Sequence, residues 1–121
     1  MHPRTHRAQT LLKMIVRTHV VPRGFDAITV WPFILVRPGS ADDAPLMAHE
    51  RVHYIEQRSS GVLPWLICYA ASKRFRLAAE VRGYKAQVAA GGTSVAVAAR
   101  LLTSYRTGVT EVEAHKLLTS A

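Results

Sequence analysis

The order of apolar and polar positions divides the chain into a short strand region followed by helices. Residues 27–37 are rich in β-branched and aromatic side chains and end at residues 38–40, Pro-Gly-Ser, which predicts a strand. Pro32 cannot donate a hydrogen bond to a neighbouring strand, so we expect an edge strand or a bulge. The second half of residues 11–21 predicts another strand, which a turn at residues 22–24 would pair with residues 27–37.

Helix start and stop signals predict four helices after the strands. Aspartates and a proline suit the first turn of a helix near Ala44, and Gly91-Gly92 suits the end of a later one. Thr110 and Glu113 form a capping-box pattern at the start of the last. The predicted helices cover about residues 44–58, 65–90, 94–105 and 110–119. These elements predict an α+β fold, in which a small antiparallel sheet of two or three strands packs on a helical body.

Length and composition favour one domain. The chain has 121 residues, of which 49% are hydrophobic, enough for a single apolar core. We expect residues 1–121 to form one unit, with a central part at about residues 25–90 and a helical C-terminal extension at residues 93–120. Cys68 is the one cysteine, so an internal disulfide is excluded, and its apolar neighbours indicate a small buried side chain.

The net charge of +8 is concentrated near the start of the chain. Residues 1–40 carry six basic side chains and one acidic one. A basic surface that aids solubility is the default interpretation, and contact with nucleic acid, an anionic membrane surface or an acidic protein remains open. Aromatic and basic residues do not interleave, so we expect no specific recognition of nucleic acid.

Targeting and membrane signals are weak. The longest apolar run, residues 62–71, has ten residues and is followed by Lys73 and Arg74, so we expect no membrane span. The N-terminal apolar stretch is short and broken by charge, which is not typical of a signal peptide. A cytoplasmic or virion-associated location is therefore open, and so is export by another route.

The chemistry is concentrated in residues 49–53, His-Glu-Arg-Val-His. Residues four apart lie above one another on a helix, so His49 and His53 present two imidazoles to one point. Neutral imidazole is a good zinc ligand, and Glu50 can accept a proton from a metal-bound water. This pattern predicts a zinc-dependent hydrolytic site.

A catalytic zinc site needs a third protein ligand. Glu56 follows on the same helix, but a straight helix cannot easily wrap three ligands around one ion, so we interpret it as a solvated charge. Glu80 lies in the next predicted helix, which would bring it against the imidazoles if it returned antiparallel. A plain surface charge at Glu80 remains the alternative.

These residues resemble a known family. Residues 47–53, Gln57, the Pro64-Trp65 pair and residues 79–84 resemble the smallest gluzincin-type zinc metallopeptidases, compact bacterial and phage proteins with an H-E-x-x-H-x-x-x-Q helix and an E-x-x-x-Y segment. The resemblance covers about residues 25–90.

The resemblance implies a ligand set and a base. It implies His49, His53 and Glu80 as Zn²⁺ ligands and Glu50 as the general base of a peptidase. Gly83 departs from the family, whose members often carry a larger residue there.

Further roles follow from spacing. Tyr84, one helical turn after Glu80, is the best candidate for stabilising an oxyanion, with Tyr54, Tyr69 and His115 as alternatives. Gln57, one turn after His53, either holds a ligand through a hydrogen bond or is solvated.

Hydrolysis of a peptide or amide bond is the first of three functions that the sequence leaves open. A chain this small has no second lobe to build a cleft, so the site is expected to be open or completed by a protein partner. It would then cleave a peptide, a protein or a peptidoglycan cross-link. Alternatively, it is an inactive zinc-binding module used in assembly, for example of a phage particle, or a basic nucleic-acid-associated protein.

Overall fold

Three short strands form a mixed sheet in the computed structural model, which describes residues 14–120. They are β1 (Ile15–Arg17), β2 (Ala27–Val30) and β3 (Phe33–Val36), in the order β1-β3-β2. β2 and β3 are antiparallel, whereas β1 runs parallel to β3. The predicted wholly antiparallel sheet is therefore wrong in one of its two pairings.

The run at residues 27–37 is a hairpin and not one strand. Val30 pairs with Phe33, so the chain reverses at Trp31 and Pro32. Pro32 thus lies in the turn, where its missing N–H interrupts no ladder. The turn predicted at residues 22–24 does not make a hairpin with β1, because β3 already occupies the position beside it.

Five helices follow the sheet. Side chains cap four of them: Asp43 accepts a hydrogen bond from the Leu46 N–H, Ser72 from that of Phe75, Ser94 from that of Val97, and Thr110 forms the predicted capping box with Glu113. The helices are α1 (Ala44–Ser60), α2 (Val62–Ala71), α3 (Lys73–Ala89), α4 (Val95–Leu102) and α5 (Glu111–Thr119).

The helix predicted at residues 65–90 is divided at Ser72. No glycine or proline marks this break. Instead, the Ser72 side chain accepts a hydrogen bond from the Phe75 N–H and starts α3. Arg76 donates to the carbonyl oxygens of Tyr69 and Ala70, which satisfies the free end of α2. The break is thus held by the side chains of Ser72 and Arg76.

Two apolar cores lie on either side of the contact between α1 and α3. One core packs the sheet against the start of α1, through Ala27, Val36 and Ala41. The other joins the last three helices, and its buried members are Tyr84, Ala98, Ala99, Leu102, Ala114 and Leu118. The architecture is α+β, with a small sheet on a helical body, as predicted.

Three expectations from the sequence concern a membrane span, the N-terminal charge and the burial of Cys68. None of the described helices is both long enough and apolar enough to cross a membrane. Arg4, Arg7 and Lys13, which carry part of the N-terminal charge, lie outside the described residues. Cys68 is exposed, so its predicted burial is wrong.

Leu102→Ala tests the helical core. Leu102 is fully buried, and its truncation should lower the free energy of unfolding by about 2–5 kcal/mol, because it leaves a cavity among packed side chains. Leu101, its neighbour, is 41% exposed, and Leu101→Ala should cost markedly less. Urea unfolding of both variants is the measurement, and equal losses would contradict the described core.

Candidate metal centre

Two histidines and one glutamate meet at the contact between α1 and α3. His49 and His53 lie one turn apart on α1, with ring centroids 5.0 Å apart, and Glu80 faces them from α3. Glu80 Oε1 lies 2.6 Å from His53 Nε2 and 3.5 Å from His49 Nε2. All three side chains are buried. The predicted return of a second helix does bring Glu80 against the imidazoles, so its interpretation as a surface charge is wrong.

The donor atoms of these residues suit a metal ion. One ligand atom from each side chain lies within 4.8 Å of the others. His53 Nε2 is buried and faces Glu80 Oε1, so the two atoms form an ion pair when the imidazole is protonated and both offer lone pairs to a cation when it is neutral. Two imidazoles and a carboxylate are a donor set that zinc binds.

Gln87 orients His49. The Oε1 atom of Gln87 lies 2.9 Å from His49 Nδ1, and the Nε2 atom of the same amide donates to Thr93 Oγ1 at 3.1 Å. Because an amide oxygen only accepts, Nδ1 of His49 carries the proton and Nε2 keeps its lone pair towards Glu80. Gln87 lies one turn beyond Tyr84 on α3 and was not among the site residues predicted from the sequence.

Glu56 supports His53 in a similar way. Its Oε1 atom lies 3.4 Å from His53 Nδ1 and accepts a hydrogen bond from Trp65 Nε1 at 3.3 Å, while Oε2 pairs with Arg82. Partial burial would raise the pKa of Glu56, but its hydrogen bonds with His53 and Arg82 lower it instead. A carboxylate behind a ligating histidine fixes the ring and increases its basicity. The interpretation of Glu56 as a solvated charge is therefore wrong.

Glu50 contributes a free carboxylate to the same region. It is buried, and its Oε2 atom has no hydrogen-bond partner. Burial raises the pKa of Glu50 to about 7, and the nearby His53 and His49 only partly oppose that shift. A carboxylate with a pKa near neutrality is well suited to accept and release protons.

The buried carboxylates and imidazoles of the site shift one another's pKa values. Burial would raise the pKa of Glu80, but contacts with His49 and His53 lower it to about 2. Burial would likewise lower the pKa of His53, yet the Glu56 and Glu80 carboxylates raise it to about 10. Without a metal, the site thus holds positive charge on an imidazolium. A divalent cation between the same atoms would supply that positive charge.

A cavity of about 350 Å³ opens beside these residues. Its walls come from β2 and from helices α1 to α4, so the C-terminal extension contributes to it. Five aromatic side chains line it, namely Phe25, Trp65, Tyr69, Tyr84 and Tyr105. Concave, largely apolar sites with a few convergent polar groups are the usual form of a small-molecule or substrate site.

Two tyrosines share a hydrogen bond in this cavity. The Tyr84 ring meets His49 edge to face, with centroids 4.4 Å apart, and its hydroxyl lies 2.9 Å from that of Tyr105. Burial raises the pKa of Tyr84 to about 12, so its phenol is protonated at neutral pH. Tyr105 was not predicted from the sequence, because no spacing connects it to residues 49–53. In the structure, Arg76 on α3 donates a hydrogen bond to the Tyr105 carbonyl.

The predicted alternatives to Tyr84 for stabilising an oxyanion are Tyr54, Tyr69 and His115, and they lie in different parts of the structure. Tyr69 lines the cavity, whereas Tyr54 is buried outside its walls. His115 is exposed on α5 and lines a separate surface groove between α4 and α5. It is therefore not part of the site.

Gln57 holds the sheet and not a ligand. Its Nε2 atom donates to the Thr29 carbonyl at 2.9 Å, and its Oε1 atom accepts from the Trp31 N–H at 2.7 Å. It is almost fully buried. Both interpretations from the sequence, a hydrogen bond to a ligand and a solvated side chain, are therefore wrong. Gln57 instead fixes β2 beside α1.

Gly83 allows α1 and α3 to approach. A Cβ atom at this position would lie 2.6 Å from His49 Nε2 and 2.7 Å from His49 Cδ2. Such distances are sterically forbidden, and Gln87 restrains the buried His49 ring against moving away. The glycine that departs from the resembled family is thus required by the position of His49.

Gly83→Ala should therefore reverse the usual effect of this substitution. Alanine normally stabilises a helix by about 0.5–1 kcal/mol relative to glycine. Here overpacking against His49 should lower the free energy of unfolding by about 1–3 kcal/mol. Gly39 has no neighbour within 4 Å of an added Cβ, so Gly39→Ala is the matched control and should change stability by less than about 0.5 kcal/mol. Denaturant unfolding measures both, and a stabilised Gly83→Ala would contradict the close approach.

Comparisons with protein-family models, with curated proteins and with solved structures found no match to this chain.

Proposed function

We propose that the protein is a zinc-dependent metallopeptidase that hydrolyses a peptide or amide bond. One observation carries the proposal: the free, buried carboxylate oxygen of Glu50 lies in the same cavity as His49, His53 and Glu80. A purely structural metal site needs ligands, but it does not need an unpartnered carboxylate beside them. A hydrolytic site needs both.

The ligand residues would hold the metal, and the remaining residues would move protons. When bound, zinc lowers the pKa of a coordinated water towards ~7 and polarises a carbonyl group. Glu50 Oε2 accepts the proton of the attacking water and delivers it to the leaving amine. The phenol of Tyr84 stays protonated and can donate a hydrogen bond to the carbonyl oxygen as negative charge develops on it.

The edge of the sheet supports an extended substrate. β2 is an edge strand and lines the cavity. The Arg37 N–H donates to the Asp26 carbonyl, so alternate residues of β2 face β3 and the backbone of Ala27 and Thr29 faces the open edge. Gln57 already binds the Thr29 carbonyl. A peptide in the cavity would meet this edge at the Ala27 backbone groups and the Thr29 N–H; both residues are nearly buried, so pairing requires the cavity to admit an extended chain.

The inactive zinc-binding module is the second candidate, and the burial of the ligands favours it. His49, His53 and Glu80 lie between the two apolar cores, so a metal there would tie α1 to α3. Binding to the folded state alone would stabilise the fold. The two functions share the metal and differ in whether Glu50 has a role.

Glu80→Ala tests the metal site. Protein purified without a histidine tag should contain about one zinc ion per chain, because three ligands converge. Loss of Glu80 should reduce the zinc content to a small fraction of the wild-type value, as measured by elemental analysis. Glu111 is an exposed glutamate on α5, and Glu111→Ala should retain the metal. Wild-type protein that holds no metal, even after zinc is supplied, would overturn the proposal.

Glu50→Gln tests catalysis separately from metal binding. The amide has the same size but cannot act as a base, so hydrolysis should fall by about 10²–10⁴-fold while zinc content is unchanged. Mass spectrometry of a peptide mixture, a denatured protein and peptidoglycan fragments would detect the products. Glu113→Gln, at an exposed position of the α5 cap, is the control. If wild type and Glu50→Gln bind zinc equally and neither cleaves any of these substrates, the inactive module is the better description.

A further inference from the structure

Helix α2 is apolar along its whole length and yet largely exposed. Its ten residues, Val-Leu-Pro-Trp-Leu-Ile-Cys-Tyr-Ala-Ala, carry no charge, and Trp65 is its one buried residue. Leu63 is 67% exposed and Ile67 is 65% exposed. A helix that is hydrophobic on all sides is normally enclosed by protein or lipid. The outer side of α2 is therefore an apolar surface that is exposed to solvent, although such a surface is normally buried.

The exposed side of α2 is not the side that forms the cavity. Trp65 and Tyr69 lie one turn apart and line the cavity. Leu63 and Ile67 also lie one turn apart, and at 100° per residue they point in nearly the opposite direction to Trp65. We define the outer face of α2 as Leu63, Ile67 and Ala70, all of which are exposed. Its apolar character serves neither the cavity nor either core.

Basic residues flank α2 along the chain. Arg58 precedes α2, and Lys73 and Arg74 follow it; all three are exposed. From Gln57 to Ala79 the chain contains no acidic residue. None of the ion pairs between described residues includes these three cations. Exposed apolar side chains and nearby unpaired cations favour binding to an anionic bilayer surface, because the apolar groups leave water and the cations are attracted to the headgroups.

We propose that the outer face of α2 docks on an anionic lipid surface. The helix is about 15 Å long, so it lies in the plane of the interface and does not cross the bilayer. Leu63 and Ile67 enter the boundary between headgroups and acyl chains. Arg58, Lys73 and Arg74 lie at the headgroups, where each basic residue adds to the attraction.

Charge favours lipid over a second copy of the chain. A two-fold dimer through the outer face would place the same surface of both partners together, including its basic residues. Each chain carries a net charge of +8, so the two copies would repel each other. An anionic bilayer presents the opposite sign and attracts the same residues.

Vesicle flotation with the full chain tests the proposal. The protein should float with vesicles of phosphatidylglycerol and phosphatidylcholine, and float far less with phosphatidylcholine alone, because the attraction depends on anionic headgroups. The double variant Leu63→Gln/Ile67→Gln should reduce the partition coefficient by about tenfold or more, since it removes both inserting side chains. Val112, on α5, is also an apolar residue with 67% exposure, and Val112→Gln should change the partition coefficient by less than about twofold.

Three outcomes would overturn the proposal. The first is that wild-type protein remains in solution with both vesicle types. The double variant could float as well as wild type, in which case basic residues elsewhere bind the lipid without α2. Or light scattering could show a dimer that the double variant abolishes, without any flotation, which would assign the outer face to a second copy. Circular dichroism of each variant ensures that only folded protein is compared, and none of these readouts depends on zinc or on hydrolysis.

Discussion

The burial of ionisable side chains between α1 and α3 is the constraint on which the rest of the structure depends. Glu50, Glu80 and two imidazoles lie in a region from which water is largely excluded. Such groups are costly to bury unless each has a partner or a cation balances them. Gln87 and Glu56 satisfy the outer ring nitrogens, and the inner nitrogens and oxygens converge on one point. The helices must be close for this convergence, and Gly83 permits that distance.

The two apolar cores hold this contact from opposite sides. The sheet core fixes the first turns of α1, and Gln57 ties the later part of that helix to the end of β2. The helical core fixes the second half of α3 and includes Tyr84, which also packs on His49. The C-terminal helices therefore support the candidate metal centre through Tyr84. Through Tyr105, the segment that follows α4 forms part of the cavity wall.

Helix α2 has a different role on each side. Its inner side supplies Trp65, which lines the cavity and donates to the carboxylate that supports His53. Its outer side is apolar, exposed and flanked by cations. If both proposals hold, the wall of a hydrolytic site is also the membrane-docking element, and substrates at or near a lipid surface would be the ones presented to it. The proposals remain independent, since lipid binding needs no metal and hydrolysis needs no bilayer.

The sequence by itself determined the local features of this protein. The capping box at Thr110 and the helix that places His49 and His53 on one face both followed from short-range rules of spacing and capping. The sequence also named Glu80 as the third candidate ligand, but only the packing of α3 on α1 brings it to the imidazoles. Those rules work because a helix fixes the relative direction of residues three or four positions apart. Zinc binding and peptidase activity, which the same residues predicted, stay predictions.

Only the tertiary structure decided which side chains meet across elements. The parallel pairing of β1 with β3 and the partners of Glu56 and Gln57 depend on contacts between residues far apart in sequence. A polar helix residue has the same local pattern whether it faces water, a ligand or a strand edge. The packing of α1 against α3 and β2 selects among these, because each buried polar group must find a partner there.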